Sequence, residues 1–349
     1  MLLRLIPVTQ SSVEIQWQGQ SERRRRIIRF MLFVVLILFL ILFGFWFLVT
    51  QPLLYSGRPK AERSVDPSRL QAHVHKLSVE LGPRDERHIE NLDRVAEYIK
   101  DEFSQATPFV SEQEYGIQGN SYRNVIARFG PETGERIIVG AHYDAAGPLP
   151  GADDNASGVA ALIELARLLG QQPPALQVEL VAFTLEEPPQ FRTAGMGSSV
   201  HAKSLRQQNV RVRAMFSLEM IGYFSDAPNS QRFPIGVLGA MYPSTGNFIA
   251  VVGRFSDWSL ARRTKSAMRS AAPLPVYSIN APSVVPGVDF SDQLNYWRAG
   301  YNALMITDTA FYRNPHYHTA NDTEEKLDYK RMGMVVEGIH AAVQSLARE

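Results

Sequence analysis

The sequence of 349 residues contains no cysteine. This absence excludes disulfides, cysteine nucleophiles and thiolate metal ligands, so any metal site must be built from His, Asp and Glu. The sequence also lacks an excess of either charge, with 36 Lys and Arg against 35 Asp and Glu. No basic concentration follows the first sixty residues, and we therefore expect no nucleic-acid partner.

One long apolar run stands near the start. Residues 30–49 contain twenty residues without a charge, which at about 1.5 Å per residue matches a hydrocarbon core of about 30 Å. The preceding Arg23 to Arg26 are typical of the cytoplasmic flank of a membrane span. Bulky residues at the exit favour a retained signal-anchor over a cleaved signal peptide. We therefore predict a single-pass membrane protein whose N-terminus is cytoplasmic and whose large domain after the span is periplasmic or extracellular.

These features divide the chain into four parts. Residues 1–29 are predicted to be a short basic cytoplasmic tail, 30–49 a transmembrane anchor, 50–64 a linker and 65–349 one large domain. Within the domain, apolar strand-like runs alternate with helical spacing, which predicts an α/β three-layer sandwich. Its sheet is expected to be mixed, largely parallel and twisted, with helices on both faces. The same pattern predicts a strand at 235–241 and a helix at 245–254.

Metal-ligand side chains follow several of the predicted strands. In a sheet of this kind, ligands collect at the carboxyl ends of the strands. The residues at these places are all oxygen or imidazole donors, which suit zinc, with manganese or cobalt as alternatives. Each alone is more often structural, but together they favour one site; they are His142, Asp144, Glu186, Glu187, Glu219, His316 and His318, with the acidic turn GADDNASG at 151–158.

The motifs HYD, GADDNASG, EE, SLEMIGY and NPHYHTANDT, in this order, resemble those of the co-catalytic zinc aminopeptidases of peptidase clan MH. The resemblance covers residues 65–349 and implies that they form a zinc peptidase domain. Its relatives include glutaminyl cyclases, glutamate carboxypeptidases and catalytically inactive receptors. The resemblance implies a mixed, twisted sheet flanked by helices, in agreement with the pattern above.

The resemblance also implies a ligand set for two zinc ions per chain. Asp154 would bridge both ions, with His142 and Glu219 completing one site and Glu187 and His318 the other. Two such ions can lower the pKa of a bridging water, the expected nucleophile. By the same resemblance, Glu186 would be the general base that takes the water's proton and passes it to the departing amine.

Further roles follow from the same resemblance. Asp144 would accept the second N–H of the His142 ring, and Tyr317 would donate a hydrogen bond to the developing oxyanion. The Asp154–Asn155 peptide is expected to be cis. Two positions depart from the family pattern: Glu219 stands where many relatives have Asp, and Gln293, after Asp292, stands where they often have His.

Hydrolysis at the free N-terminus of peptides is the function that the complete ligand set favours. Glutaminyl-peptide cyclisation is the alternative enzyme activity, since those relatives use a similar fold with one catalytic zinc. A non-catalytic binding domain of the same fold is the alternative from another class. The presence of both ligand sets and of Glu186 favours the hydrolase.

Overall fold

The computed structural model describes residues 10–53, 65–132 and 134–349. The chain separates into a unit that ends at Leu48 and a unit from Val49 to Glu349. The described part of the first unit is helical and belongs to α1 (Gln10–Thr50), whose last two residues, Val49 and Thr50, are already part of the second unit. The stretch Glu22–Thr50 of this helix is long and apolar enough to cross a membrane. Residues 1–9 of the predicted tail and residues 54–64 of the predicted linker lie outside the described residues.

The second unit is built on an eight-stranded mixed sheet with the order β1-β2-β4-β3-β5-β8-β6-β7. Strands β4, β3, β5 and β8 are mutually parallel, and β6 runs antiparallel to β8 but parallel to β7. The strands are β1 (Val110–Ile117), β2 (Asn120–Phe129), β3 (Glu135–His142), β4 (Gln177–Phe183), β5 (Arg211–Glu219), β6 (Ile249–Gly253), β7 (Val276–Asn280) and β8 (Ala303–Thr307). The predicted fold class is confirmed.

Helices cover both faces of this sheet and bury two apolar clusters against it. One face carries α2 (Pro67–His75), α3 (Ile89–Ser104), α4 (Gly158–Gln171), α6 (Trp258–Ala271) and α8 (Tyr329–Leu346). The other carries α5 (Gly197–Gln207) and α7 (Gln293–Arg298). The strands β4, β6 and β8 are buried along their whole length, which explains their continuous apolar sequences.

Two local predictions were wrong. The predicted strand at 235–241 is a short 3₁₀ turn, Gly236–Ala240, and the predicted helix at 245–254 contains strand β6. A short apolar run such as the IAVVG of β6 has no periodicity that separates a buried strand from a buried helix. Pairing with β7 and β8 decided the conformation of β6.

Candidate metal centre

The parallel strands bring the predicted ligands together at their carboxyl ends. His142 is the last residue of β3 and Glu219 the last residue of β5. Glu186 and Glu187 follow the end of β4 at Phe183, and His318 lies on the long connection after β8. Because these strands point the same way, their carboxyl ends meet at a common place.

The acidic turn GADDNASG, residues 151–158, places Asp154 at the same carboxyl ends of the strands. Gly151 has a left-handed backbone (φ 56°), and a β-carbon there would meet the Asp154 carbonyl oxygen at 2.2 Å, so glycine is required. The Asp154–Asn155 peptide is cis, as expected. The Asn155 amide donates to the Leu218 carbonyl at 2.7 Å and its oxygen accepts from Met220 N at 3.2 Å. The turn is thereby fastened to the end of β5.

A first cluster of ligand atoms surrounds the buried His142 ring. Its Nε2 atom lies 3.3 Å from Asp154 Oδ1 and 3.5 Å from Glu219 Oε2. Glu219 also accepts a hydrogen bond of 2.6 Å from the Ser291 hydroxyl. These three ligands come from three different elements, and their atoms are close enough to bind one cation.

A second cluster shares the Asp154 carboxylate. His318 Nε2 lies 3.0 Å from Asp154 Oδ2 and 3.2 Å from Glu187 Oε1. Asp154 therefore presents one oxygen to each cluster, which is the arrangement that a bridging carboxylate requires. The structure brings together all five residues that the resemblance implies as ligands.

The chemistry of the donor atoms fits a pair of metal ions. His142 Nε2, Asp154 Oδ1 and Glu187 Oε1 are buried and have no hydrogen-bond partner among the described residues. Burying such atoms without a partner costs free energy. Imidazole and carboxylate donors without thiolate are a zinc-type set. The residues present therefore fit the metals that the resemblance implied.

Glu186 lies beside the clusters without belonging to either. Its Oε2 atom is 3.9 Å from His142 Nε2. Burial raises the pKa of the Glu186 carboxyl well above its usual range, the neighbouring carboxylates of Glu219 and Glu187 raise it further, and His142 opposes them. A carboxyl group that lies beside the ligand atoms and outside both clusters is in the position of a group that accepts and returns a proton.

Asp144 makes a different set of contacts from the one expected. Its two carboxylate oxygens accept from the backbone N–H groups of Glu186 at 3.1 Å and Glu187 at 3.0 Å. The Nδ1 atom of His142 is 3.5 Å from the Asp144 carboxylate and 3.2 Å from the Asp144 backbone oxygen. The carboxylate thus fixes the start of the loop that carries both glutamates as well as standing beside the His142 ring.

The two histidines of the NPHYHT segment point to different places. The His318 ring stacks on Tyr317 with ring centroids 3.8 Å apart, whereas the His316 ring lies 6.2 Å from the Tyr223 ring. Burial and the carboxylates of Asp154, Glu187 and Glu219 raise the pKa of Tyr317. The Tyr317 hydroxyl therefore keeps its proton and can act as a hydrogen-bond donor.

Three residues that support the site were not predicted as functional. Asp322 accepts from Asp153 N and Asp154 N, both at 3.0 Å. The fully buried Arg84 donates to the Tyr143 carbonyl at 2.9 Å and to the Gly151 carbonyl, so its positive charge lies behind the acidic turn. Asp322 belongs to the motif NPHYHTANDT and could have been suspected; Arg84 and Ser291 have no comparable local signal.

The two residues of the departing SDQ motif are both buried. Gln293 donates from Nε2 to the Val288 carbonyl at 3.0 Å. Burial raises the pKa of Asp292 to about 7, while His142 lowers it and Glu219 and Asp144 raise it. The charges of three site residues therefore act on the Asp292 carboxyl group. Gln293 instead stabilises the backbone of the neighbouring loop.

An apolar pocket begins at the clusters and extends over β6, β7 and β8. Its volume is about 870 Å³, including the part open to solvent. Glu219 and Tyr317 line one part of it, and the remainder is mainly aromatic and aliphatic, including Phe233, Tyr242 and Phe248. This lining suits an apolar group held next to the candidate metal centre.

Fold and site define a class of protein: an α/β protein with histidine and carboxylate clusters, suited to metal, at the carboxyl edge of parallel strands. Comparison with known families gives a narrower assignment. Residues 124–343 match the sequence profile of Peptidase family M28. The chain therefore belongs to peptidase family M28, and the resemblance drawn from the motifs is confirmed.

Three relatives illustrate this membership. The chain is 46% identical to the uncharacterized protein YfbL of Escherichia coli K12, over 87% of this chain and 97% of that protein. It is 25% identical to leucine aminopeptidase 1 of Fusarium vanettenii, over 69% of this chain but only 58% of that longer protein. A zinc aminopeptidase from Bacillus subtilis, BSAP, has the same fold, with a TM-score of 0.65 and 15% identity, over 80% of this chain and 95% of that one.

Proposed function

We propose that this chain is a membrane-anchored, zinc-dependent aminopeptidase that binds two zinc ions. His142, Asp154 and Glu219 would hold one ion, and Asp154, Glu187 and His318 the other. The observation that carries the proposal is the pair of ligand clusters sharing Asp154, in a chain of a peptidase family. The leucine aminopeptidase relative supports action at a free N-terminus.

When bound, the two ions would polarise the scissile carbonyl and supply a nucleophile derived from water. Glu186 accepts the proton of that water and delivers it to the departing amine, since its carboxyl is near the clusters but outside them. Tyr317 donates its hydroxyl proton as a hydrogen bond to the oxygen of the substrate carbonyl. The apolar pocket receives the substrate side chain.

The same proposal includes the location. Helix α1 would cross the membrane with residues 30–49, since its sequence there is uncharged and long enough. Residues 1–29, which contain Arg23 to Arg26, would remain in the cytoplasm. The peptidase domain, residues 65–349, would then lie in the periplasm or outside the cell and act on peptides with a free N-terminus.

The test is hydrolysis of a panel of aminoacyl-p-nitroanilides by the full chain in detergent, before and after chelation and with zinc restored. The Glu186→Gln variant is measured beside it, together with its zinc content. We expect chelator-sensitive release that zinc restores, and a loss of about 10²- to 10⁴-fold in kcat for Glu186→Gln with two zinc ions still bound.

A control reaction separates the alternatives. The same preparations are incubated with a peptide that begins with Gln, and its cyclisation is followed. Cyclisation without hydrolysis would make the chain a glutaminyl-peptide cyclase. If two zinc ions bind and neither reaction occurs, the aminopeptidase proposal is wrong and a non-catalytic binding domain is the better account.

A further inference from the structure

Thr50, which belongs to the second unit of the chain, is hydrogen-bonded to β7 and α6. The Thr50 carbonyl accepts hydrogen bonds from the Lys265 ammonium of α6 and, at 2.9 Å, from the Ser278 hydroxyl of β7. Lys265 and Ser278 are both buried. Since Thr50 is also the last residue of α1, the chain passes from its apolar helix to the domain beside β7.

The same strand forms a wall of the apolar pocket. Tyr277 and Ile279 line the pocket, and the Tyr242 hydroxyl donates to the Ser278 backbone oxygen at 2.7 Å. Ser278 thus links the end of α1, through its hydroxyl, to a residue of the pocket, through its carbonyl. Within the second unit, Thr50 and the pocket therefore share Ser278 as a neighbour.

Two uncharged loops cover this pocket, and we call residues 233–243 and 281–288 the pocket loops. Residues 233–253 and 270–288 contain no charged side chain, although 20% of the chain is charged. The pocket loops nevertheless expose large aliphatic side chains: Val284 is 83% exposed, Val237 64% and Ile235 48%. An apolar surface of this kind marks a place of interaction with a protein or a membrane.

The exposed side chains of the pocket loops lie a short chain length from Ser278, the residue that is hydrogen-bonded to Thr50, and this favours the membrane as their partner. Val284 follows Ser278 by six positions, and an extended chain of that length spans at most about 20 Å. Ala281 N donates to the Gly253 carbonyl at 3.0 Å, so the segment after β6 lies alongside. That segment exposes Phe255 and Trp258 to 38% and 40%, and Trp is enriched where proteins meet the membrane–water interface.

We infer that the pocket loops insert into the lipid surface of the membrane that α1 crosses. This inference rests on the proposed anchoring and not on the proposed activity. The transfer of aliphatic side chains from water to the acyl boundary is favourable, and the pocket loops carry no charged side chain that would oppose it. A peptide whose apolar end lies in that surface reaches the pocket beside Glu219 and Tyr317 directly.

The chain has no cysteine, so a single introduced cysteine takes one nitroxide label. The variants Val237→Cys and Val284→Cys are reconstituted as full chains in phosphatidylcholine and phosphatidylglycerol vesicles. Collisions of each label with oxygen, which partitions into lipid, are compared with collisions with a water-soluble nickel complex. Ser283→Cys tests the same loop if Val284→Cys does not fold.

Two control positions calibrate the measurement. Val35→Cys lies in the apolar stretch of α1. Glu97→Cys lies on α3, which packs on β1 and β2 at the opposite edge of the sheet. We expect labels in the pocket loops to favour oxygen, as at position 35, and the label at position 97 to favour the nickel complex.

Three results would overturn the inference. Labels at 237 and 284 that behave like the label at 97 would place the loops in water. Dipolar broadening between labels on different chains would show that a second copy covers the loops. Nickel accessibility at position 35 would remove the proposed anchoring, and the inference with it. The proposed peptidase activity would be unaffected, because it is tested separately by hydrolysis.

Discussion

The Asp144→Asn substitution tests how the two glutamates of the site are held. In the wild-type chain, the carboxylate accepts one hydrogen bond from each of the backbone N–H groups of Glu186 and Glu187. Asparagine keeps one acceptor oxygen and turns an NH₂ group toward the other N–H. One charge-assisted bond, worth about 1.5–3 kcal/mol, is lost and a buried donor is left unpaired.

The expected loss in site function is about 2–3 kcal/mol, or roughly 30- to 150-fold. It will be divided between zinc affinity and turnover, because Glu187 is a proposed ligand and Glu186 the proposed base. Zinc affinity is measured by competition with a chelator of known affinity. The kcat/KM value is then measured on the preferred p-nitroanilide at saturating zinc.

A matched control is Asp257→Asn. Asp257 is also buried and accepts from a backbone N–H, that of Arg254 at 3.2 Å, but it lies in neither ligand cluster. We expect Asp257→Asn to lower the unfolding temperature without changing zinc affinity. Unchanged affinity and kcat/KM in Asp144→Asn, or equal losses in both variants, would refute the reasoning.

Three further predictions follow from named contacts. His318→Ala should lower the zinc content from two ions to one, whereas His316→Ala should leave it unchanged; equal zinc contents in the two variants, by elemental analysis, would contradict the assignment. Ser291→Ala removes the 2.6 Å hydrogen bond to Glu219 and should weaken zinc binding about 10-fold, as measured by competition; full affinity would exclude this role. Burial lowers the pKa of His201 from 6.5 to about 4; the unfolded chain therefore takes up the proton first, and stability present above pH 6.5 falls by on the order of 3 kcal/mol toward pH 4. Denaturant titrations of the metal-free chain should show that pH dependence, and the same slope in His201→Gln would argue against it.

The sequence alone contains most of what defines the fold class and the ligand clusters. Parallel strands have their carboxyl ends on the same side of the sheet. A side chain that directly follows an apolar run, as His142 and Glu219 do, is therefore placed on that side by its local sequence. The helix that begins after Asp66 is another local case, since Asp66 accepts from Ser68 N at 2.9 Å and Pro67 follows it. The long apolar helix α1 could likewise be predicted from the composition of its own segment.

Tertiary structure decided the remaining features, because they depend on partners distant in the chain. Strand β6 and the 3₁₀ turn at 236–240 have short apolar sequences that fit several conformations, and neighbouring strands selected among them. Arg84 lies behind the acidic turn only because the chain folds back over about sixty residues. The attachment of Thr50 to Ser278 spans 228 residues. Hydrogen bonds of this kind leave no periodic trace in the sequence, since each end satisfies a polar group that local structure leaves unpaired.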